Sequence, residues 1–570
     1  MTFPAQFNLS DLNGDNGFVI NGLNTIDYAG ASVSSAGDVN GDGIDDLIIG
    51  APYANSNGFS SGESYVVFGS DQGFTPSLEV ANLDGRNGFV VNGVERYDRS
   101  GSSVSGAGDI NGDGFDDLII GFDSYCGTYC EPSGATSYVV FGSGQGFAAS
   151  LELTDLDGSN GFTLNGIDEG DNSGGSVSGA GDINGDGIDD LIIGASSNTP
   201  GTVVFGSDQG FATSLNVSDL DGSNGFTLNG PDGSVSGAGD INGDGIDDLI
   251  IGASGVYSNG NRRAGESYVV FGSDQGFAAS LELTDLDGSN GFALNGIDEY
   301  DQSGRSVSGA GDINGDGIDD LIIGASGANP YGRSSGESYV VFGSNQGFTP
   351  SLDLADLDGD NGFVFNGIDT GDYSGRSVSD AGDINGDGFD DLIIGASWAD
   401  PNGNDSAGES YVVFGSDQGF AANLDPRDLN GSNGFVLNGI DEDDSSGRSV
   451  SGAGDVNGDG IADLIIGAPT ANPNGTRSAG EIYVVFGRGP TTRNDGLTGT
   501  SGRDVIFALA GNDRVSGLAG NDRLAGQEGN DRLIGGAGGD NLLGGSGQDT
   551  LLGGADDDRL LGGTDDDRLN

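Results

Sequence analysis

The chain has 570 residues, 113 of them glycine, and a net charge of −70 in which 19 arginines are the only basic side chains. Without a basic stripe to neutralise phosphates, the composition argues against nucleic acid and against an anionic membrane surface as partners. The sequence contains no histidine, which excludes Ser-His-Asp and Cys-His catalysis and histidine-bound zinc.

The N-terminal residues carry no recognisable targeting signal. They lack the basic region and the apolar core of a Sec-type signal peptide, and no apolar run in the chain approaches the length of a membrane span. The first predicted β-strand is Gly17-Phe18-Val19-Ile20. If the protein is exported, its export signal is expected elsewhere in the sequence.

A nine-residue sequence, Asp-x-Asn-Gly-Asp-Gly-x-x-Asp, occurs seven times, first at residues 38–46 and last at residues 455–463. Its oxygen-bearing side chains at positions 1, 3, 5 and 9 suit Ca²⁺, which takes six to eight oxygens at about 2.3–2.6 Å. Glycines at positions 4 and 6 allow the tight backbone that brings these side chains together, and the carbonyl of residue 7 can add a ligand. The predicted ligands are Asp38, Asn40, Asp42, Ile44 and Asp46; Asp109, Asn111, Asp113, Phe115 and Asp117; Asp182, Asn184, Asp186, Ile188 and Asp190; Asp240, Asn242, Asp244, Ile246 and Asp248; Asp312, Asn314, Asp316, Ile318 and Asp320; Asp383, Asn385, Asp387, Phe389 and Asp391; and Asp455, Asn457, Asp459, Ile461 and Asp463.

Two other interpretations of this loop are less consistent with the sequence. A solvated acidic turn would explain one copy, since Asp, Asn and Gly are ordinary turn residues. It does not explain why positions 1, 3, 5 and 9 never change while position 8 is Asp in six copies and Ala462 in the seventh. An EF-hand needs a Glu at position 12 and flanking helices, whereas position 12 of the first copy is Ile49, within the apolar run of a predicted strand.

The loops recur at a fixed period, which predicts a repeat architecture. Successive loop starts lie 71, 73, 58, 72, 71 and 72 residues apart. Each unit carries four short apolar segments, which in the fifth unit are residues 306–310, 320–323, 338–342 and 362–366. We therefore predict an all-β fold in which residues 1–490 form a seven-bladed β-propeller. The Ser-Val-Ser-Gly-Ala segment of small residues is expected beside the axis, and the N-terminal Gly-Phe strand is expected to complete the last blade.

Two further features of residues 1–490 are a pair of cysteines and a recurring arginine. Cys126 and Cys130 lie in one loop, where a disulfide and a pair of free thiols both remain open. The sequence Ser-Gly-Arg-Ser recurs at Arg305, Arg376 and Arg448, each time just before an inner strand. These arginines are candidate ligand-binding residues for a carboxylate or sulfate group, and pairing with nearby acids such as Asp301 and Asp372 is the alternative.

The repeating units resemble FG-GAP repeats, those of the N-terminal propeller of integrin α subunits. The resemblance depends on Gly-Ala-Gly-Asp-x-Asn-Gly-Asp-Gly-x-x-Asp-Leu-Ile-Ile-Gly-Ala followed by Gly-Glu-Ser-Tyr-Val-Val-Phe-Gly, and it covers about residues 3–490. It implies calcium in the loops at one face of the propeller and ligands at the opposite face. Integrins carry the loop in only some blades, whereas all seven units have it here. Nothing in the chain resembles the integrin leg domains, so integrin signalling is not implied.

After a predicted linker at residues 491–498, the period changes to nine residues. Residues 499–570 contain eight nonapeptides in which an apolar residue follows each Asp by two positions. They resemble the RTX (hemolysin-type) repeat Gly-Gly-x-Gly-x-Asp-x-Leu-x, which implies a calcium-binding parallel β-roll; a disordered acidic tail is the alternative. By this resemblance the candidate metal ligands are Asp513, Asp522, Asp531, Asp540 and Asp549.

Together these features predict a calcium-binding, secreted or cell-surface recognition or adhesion protein that is not an enzyme. One calcium ion is expected in each of the seven propeller loops and several more in the RTX region. The expected partner is an extracellular protein or glycan, and the oligomeric state is left open. A structural surface-layer or matrix component, or the non-catalytic propeller region of a secreted hydrolase, are the alternatives. RTX proteins are typically exported by type I secretion, although the chain stops at Asn570 within the repeat pattern, which leaves the route open.

Overall fold

The computed structural model describes residues 3–122, 135–166, 174–194, 200–231, 233–489, 496–499, 505–508 and 510–570. Regular structure in these residues consists of β-strands and nine single turns of 3-10 helix, with no α-helix among them. Seven five-stranded sheets form the propeller, and two further sheets lie in the C-terminal region. The predicted all-β class and the seven blades are confirmed. Cys126 and Cys130 lie outside the described residues.

Every blade repeats the same succession of strands from the axis outward. The inner strands are Ser32–Gly37, Ser100–Gly108, Ser176–Gly181, Ser234–Gly239, Ser306–Gly309, Ser377–Gly382 and Ser449–Gly454. The second strands are Asp46–Ala51, Asp117–Phe122, Asp190–Gly194, Asp248–Ala253, Leu321–Ala325, Asp391–Ala396 and Asp463–Ala468. The third strands are Glu63–Val67, Ala135–Val140, Gly201–Val204, Glu266–Val270, Glu337–Val341, Glu409–Val413 and Glu481–Val485. The fourth strands are Gly88–Asn92, Gly161–Asn165, Gly225–Asn229, Gly291–Asn295, Gly362–Asn366, Gly434–Asn438 and Gly17–Asn21.

Each blade also has a fifth, outermost strand, which the four predicted apolar segments did not include. These strands are Ser150–Glu152, Ser214–Asn216, Ser280–Glu282, Ser351–Asp353, Asn423–Leu424, Gln6–Asn8 and Ser77–Glu79, from the first blade to the seventh. Each runs parallel to the fourth strand, whereas the other four are antiparallel. In six blades the fifth strand comes from the connection between the third and fourth strands of the next blade, and in the sixth blade it comes from the N-terminal residues just before Gly17–Asn21. Neighbouring blades are therefore interlocked along their outer edges.

The small residues of the inner strands allow close packing around the axis, as predicted. In every blade the first serine of the Ser-Val-Ser segment in the inner strand accepts a hydrogen bond, through its hydroxyl oxygen, from the backbone N–H of a valine in the next blade. The seven N–H to Oγ distances are 3.0–3.3 Å. The serines are Ser32, Ser103, Ser176, Ser234, Ser306, Ser377 and Ser449, and their bonds form a closed ring around the axis.

The second and third strands are apolar on both faces because each blade is covered by its two neighbours. Leu47, Ile48 and Ile49 are all fully buried, and Ile48 packs into a different cluster from Leu47 and Ile49. Three phenylalanines also meet in each blade. In the fourth blade Phe292 stacks on Phe348 with ring centroids 4.2 Å apart, and both rings contact Phe271.

The N-terminal segment closes the ring, as predicted. Gly17–Asn21 pairs antiparallel with the third strand of the seventh blade, so the first residues complete the last blade. Gln6–Asn8 adds the fifth strand to the sixth blade. Phe3 stacks on Phe435 at 4.2 Å and thereby supplies the third ring of that blade's aromatic group. Residues 3–21 therefore provide the missing outer parts of two blades.

The C-terminal region is a parallel β-roll, as the resemblance implied. One sheet contains Gly496–Thr498, Arg514–Ala519, Arg532–Ala537, Thr550–Ala555 and Arg568–Leu569. The other contains Val505–Phe507, Arg523–Glu528, Asn541–Ser546 and Arg559–Thr564. Leucines such as Leu524, Leu533 and Leu542 are fully buried between the sheets. Gly496–Thr498, within the predicted linker, already pairs with the next strand of the roll.

Candidate metal centres

The seven acidic loops lie between the end of an inner strand and the start of the second strand, all at the same end of the propeller. The glycines at positions 4 and 6 have positive φ angles, 77° for Gly41 and 86° for Gly43, a conformation that side-chain-bearing residues rarely adopt. In every loop the carboxylate at position 1 accepts hydrogen bonds from the backbone N–H groups of positions 5 and 6, at 2.7–3.0 Å. The loop backbone is therefore wrapped around this carboxylate.

The Asp at position 9 ties the loop to the blade. Asp46 is fully buried and accepts hydrogen bonds from the N–H of Val39, from the amide of Asn40 and from the N–H of Gly69, which follows the third strand. The bond from the glycine recurs in all seven blades at 2.8–2.9 Å. Because the amide nitrogen of Asn40 points to Asp46, its amide oxygen is directed away from Asp46.

Burial and the other acids of the loop raise the pKa of the carboxyl group at position 9. Burial, followed by the charges of Asp42 and Asp38, raises the pKa of Asp46 to about 8. The same causes raise the pKa of Asp117, Asp190, Asp248 and Asp320 to about 8. A carboxylate held among others in a buried site is stabilised by a divalent cation, which reverses the repulsion.

The aspartates at position 8 have a role that the sequence did not reveal. Asp116 accepts a hydrogen bond from the backbone N–H of Asp38, the first residue of the loop in the preceding blade, at 2.7 Å. The same contact joins five further pairs of adjacent blades, through Asp45, Asp189, Asp247, Asp319 and Asp390. Position 8 thus positions the neighbouring loop, and Ala462 leaves one gap in this ring. The only signal in the sequence was the recurrence of Asp in six of the seven copies.

The loops combine several kinds of oxygen. Among the described residues, no three Asp, Glu, His or Cys side chains already form a cluster that could hold a metal ion by themselves. A cation in the loop therefore needs the amide oxygen at position 3 and the carbonyl oxygen at position 7 in addition to carboxylates. The individual ligands of the seven loops stay a prediction.

The β-roll provides the clearest test of whether its residues fit a cation. The Oδ1 atoms of Asp531, Asp540 and Asp549 each accept a hydrogen bond from the backbone N–H of the Asp 18 residues earlier, at 2.8–2.9 Å. Their Oδ2 atoms are buried and have no hydrogen-bond partner. A Cβ on Gly544 would collide with both Oδ2 of Asp549 and the carbonyl oxygen of Gly562. Oxygens from successive coils therefore converge beside a glycine, as a Ca²⁺ site requires.

The three candidate ligand-binding arginines lie at the opposite end of the propeller. Arg305, Arg376 and Arg448 each precede the inner strand of one of three consecutive blades. Burial, followed by the charges of Arg448 and Arg305, lowers the pKa of Arg376 to about 10. Within the described part of the chain none of the three forms an ion pair with a carboxylate, so the predicted alternative of pairing with Asp301 or Asp372 is not observed.

Comparison with known proteins agrees with this architecture. The model of the FG-GAP repeat matches residues 29–67, 100–128, 173–215, 233–270, 303–341, 375–413 and 446–485. The model of the RTX calcium-binding nonapeptide repeat matches residues 498–533 and 534–569. The chain is an FG-GAP repeat protein with C-terminal RTX repeats.

Relatives of these repeats occur in much longer proteins. A segment covering 33% of the chain is 33% identical to 21% of the phosphatidylinositol-glycan-specific phospholipase D of Bos taurus. A segment covering 40% of the chain is 30% identical to 17% of integrin alpha pat-2 of Caenorhabditis elegans, and 39% of the chain is 30% identical to 19% of integrin alpha-5 of Xenopus laevis. The FG-GAP repeat protein thus spans about a fifth of the length of the curated relatives it matches.

The two kinds of repeat mark the FG-GAP repeat protein as a calcium-binding extracellular protein. Both are non-catalytic kinds of domain. None of the helices in the described residues is long and apolar enough to cross a membrane.

Proposed function

We propose that this FG-GAP repeat protein is a secreted or cell-surface recognition and adhesion module in which calcium stabilises every propeller blade and the C-terminal roll. The observation that carries the proposal is the position-9 Asp of the loops. In every blade this carboxylate is fully buried beside other acids and holds the end of the third strand. A cation that neutralises the loop therefore stabilises the attachment between the second and third strands.

The end of the propeller opposite the acidic loops is the proposed recognition face. The connections between second and third strands lie there, and they expose large aromatic side chains, namely Phe59, Tyr257, Tyr331 and Trp398. Exposed aromatic rings are frequent at the centres of binding surfaces because they bury a large area at a low cost in conformational entropy. An extracellular protein or glycan is the proposed partner, and type I secretion is the proposed export route.

Calcium titration of chelator-treated protein tests the first half of the proposal. We expect heat of binding and a rise in melting temperature, with dissociation constants of about 10⁻⁴–10⁻³ M, typical of extracellular modules. A pull-down from surface extracts with calcium, repeated with chelator, tests the second half. Unchanged melting and no heat on adding calcium would refute the stabilising role. Capture that is equal with and without calcium would refute calcium-dependent recognition.

The similarity to a region of a phospholipase D supports a second candidate, in which the propeller is the non-catalytic part of a secreted hydrolase. A structural surface-layer or matrix role is the third. The hydrolase candidate predicts that a longer natural form of the protein cleaves a substrate, and a substrate screen of that form tests it. Calcium-driven two-dimensional assembly without ligand binding would favour the matrix role.

A further inference from the structure

Three arginines form an arc at the mouth of the axial opening. Arg305, Arg376 and Arg448 directly precede Ser306, Ser377 and Ser449, the first residues of three adjacent inner strands. These strands are joined by hydrogen bonds of 3.1 Å from Val378 N–H to Ser306 and from Val450 N–H to Ser377. The corresponding positions of the other four blades are the uncharged residues Ala31, Ser102, Gly175 and Gly233. Among the residues directly before the Ser-Val-Ser segments, positive charge is therefore confined to three adjacent blades.

The arc is electrostatically unfavourable as it stands. Burial and the neighbouring positive charges lower the pKa of Arg376 to about 10, and burial followed by Arg305 lowers the pKa of Arg448. The chain has 89 acidic residues for 19 arginines, yet none of these three pairs with a carboxylate among the described residues. Grouped cations without counter-charges are relieved by binding an anion, and the planar guanidinium group suits carboxylate and sulfate oxygens bidentately.

Aromatic side chains lie beside the same arc. Tyr373 precedes Arg376 by three residues and makes an edge-to-face contact with Trp398, with ring centroids 5.2 Å apart. Trp398 is the only tryptophan of the chain, and 48% of its surface is exposed. An aromatic face next to a cationic group fits a ligand that carries both an apolar C–H surface and an anionic substituent.

We propose that the arginine arc binds the carboxylate or sulfate groups of an acidic glycan and that Trp398 and Tyr373 contact its sugar rings. This inference rests on the proposed recognition function and names its ligand class. The strongly negative remainder of the protein repels anions at long range, so binding depends on short-range contacts with the three guanidinium groups and on the added contact with the rings.

Binding of a sulfated uronic-acid tetrasaccharide, measured by calorimetry in saturating calcium, tests the proposal. We expect R305Q/R376Q/R448Q to lose about tenfold or more in affinity, as charge-assisted hydrogen bonds disappear. The matched control R514Q/R523Q/R532Q removes the same charge from exposed sites on the β-roll and should bind like the wild type. The conservative variant R376K keeps the charge but loses the planar fork, and it should give an intermediate loss. W398A should weaken the binding of the tetrasaccharide more than it weakens the binding of inorganic sulfate.

Several outcomes overturn the proposal. These are equal affinity of the two triple variants, no binding of the tetrasaccharide to the wild type, or stronger binding of an acidic peptide of equal charge. The calcium-induced rise in melting temperature is recorded for each variant as a separate readout. A normal rise without glycan binding refutes the ligand class alone, whereas a missing rise in the wild type refutes the calcium-dependent function itself.

Discussion

Replacement of Phe18 by alanine tests whether the N-terminal strand closes the propeller. Phe18 is fully buried, stacks on Phe74 with centroids 4.1 Å apart and contacts Phe486 at 5.9 Å. Phe292 occupies the same place in the fourth blade, with nearly the same distances to its two partner rings. A buried Phe→Ala change costs about 3–5 kcal/mol in free energy of unfolding. We expect F18A and F292A to be destabilised by the same amount within that range.

Deletion of residues 1–22 is the stronger form of this perturbation. It removes five apolar side chains, Phe3, Phe7, Leu9, Phe18 and Ile20, none of which is more than 5% exposed. At about 1.5–3 kcal/mol for each buried side chain, the loss is roughly 10 kcal/mol. This is as large as the whole stability of a typical domain, about 5–15 kcal/mol, so the truncated propeller should not fold.

Urea and thermal unfolding in saturating calcium measure both changes, with circular dichroism and the fluorescence of Trp398 as probes. An unchanged melting temperature after the deletion would refute closure by the N-terminal strand. Closure would also be refuted if F18A lowered the free energy of unfolding by less than about 1 kcal/mol while F292A lowered it by the expected amount of about 3–5 kcal/mol. The two side chains would then not have equivalent roles.

The remaining predictions concern carboxylates. D116A should lose the 2.7 Å bond to the N–H of Asp38 and cost about 1.5–3 kcal/mol in unfolding free energy, with weaker calcium binding in the preceding loop; calorimetry that shows no change in either would refute the inter-blade role. D540N should reduce the rise in melting temperature that calcium causes in the β-roll. An unchanged rise would show that the buried Oδ2 of Asp540 is not a calcium ligand. Burial raises the pKa of Asp372 and Asp444 to about 7, so the folded chain binds protons that the unfolded chain has lost, and their contribution to stability falls as the pH rises from about 4 through about 7. D444N should therefore raise the melting temperature more at about pH 8 than at about pH 5 and leave it nearly unchanged at about pH 3; equal shifts at the three pH values would contradict this assignment.

Much of the propeller could be predicted because its information is local and repeated. The loop spacing gave the number of blades, and the small residues of the Ser-Val-Ser-Gly-Ala segment indicated the strand beside the axis. The fifth strands could not be predicted, since two or three residues are too short to show a periodic pattern. Their pairing depends on a neighbouring blade about 60 residues away in sequence.

The candidate sites were also predictable to different extents, depending on whether the residues that form them are close together in sequence. Positions 1 and 9 of the loops were recognisable because their chemistry lies within nine residues. The role of Asp116 was not, because its partner Asp38 belongs to another loop, 78 residues away. The proximity of Arg376 and Arg448 likewise follows from the order of the blades and from nothing in their local sequence.

The pairing of Gly17–Asn21 with Val485–Glu481 affects how the chain can fold during its synthesis. A ribosome makes the N-terminal strand first, but the strand that receives it is completed more than 450 residues later. Contacts between residues so far apart form slowly because a long segment must be restrained before they are gained. The strand that is synthesised first therefore pairs with one of the last, and the nascent propeller stays open between its first and last blades until almost all of it has been translated.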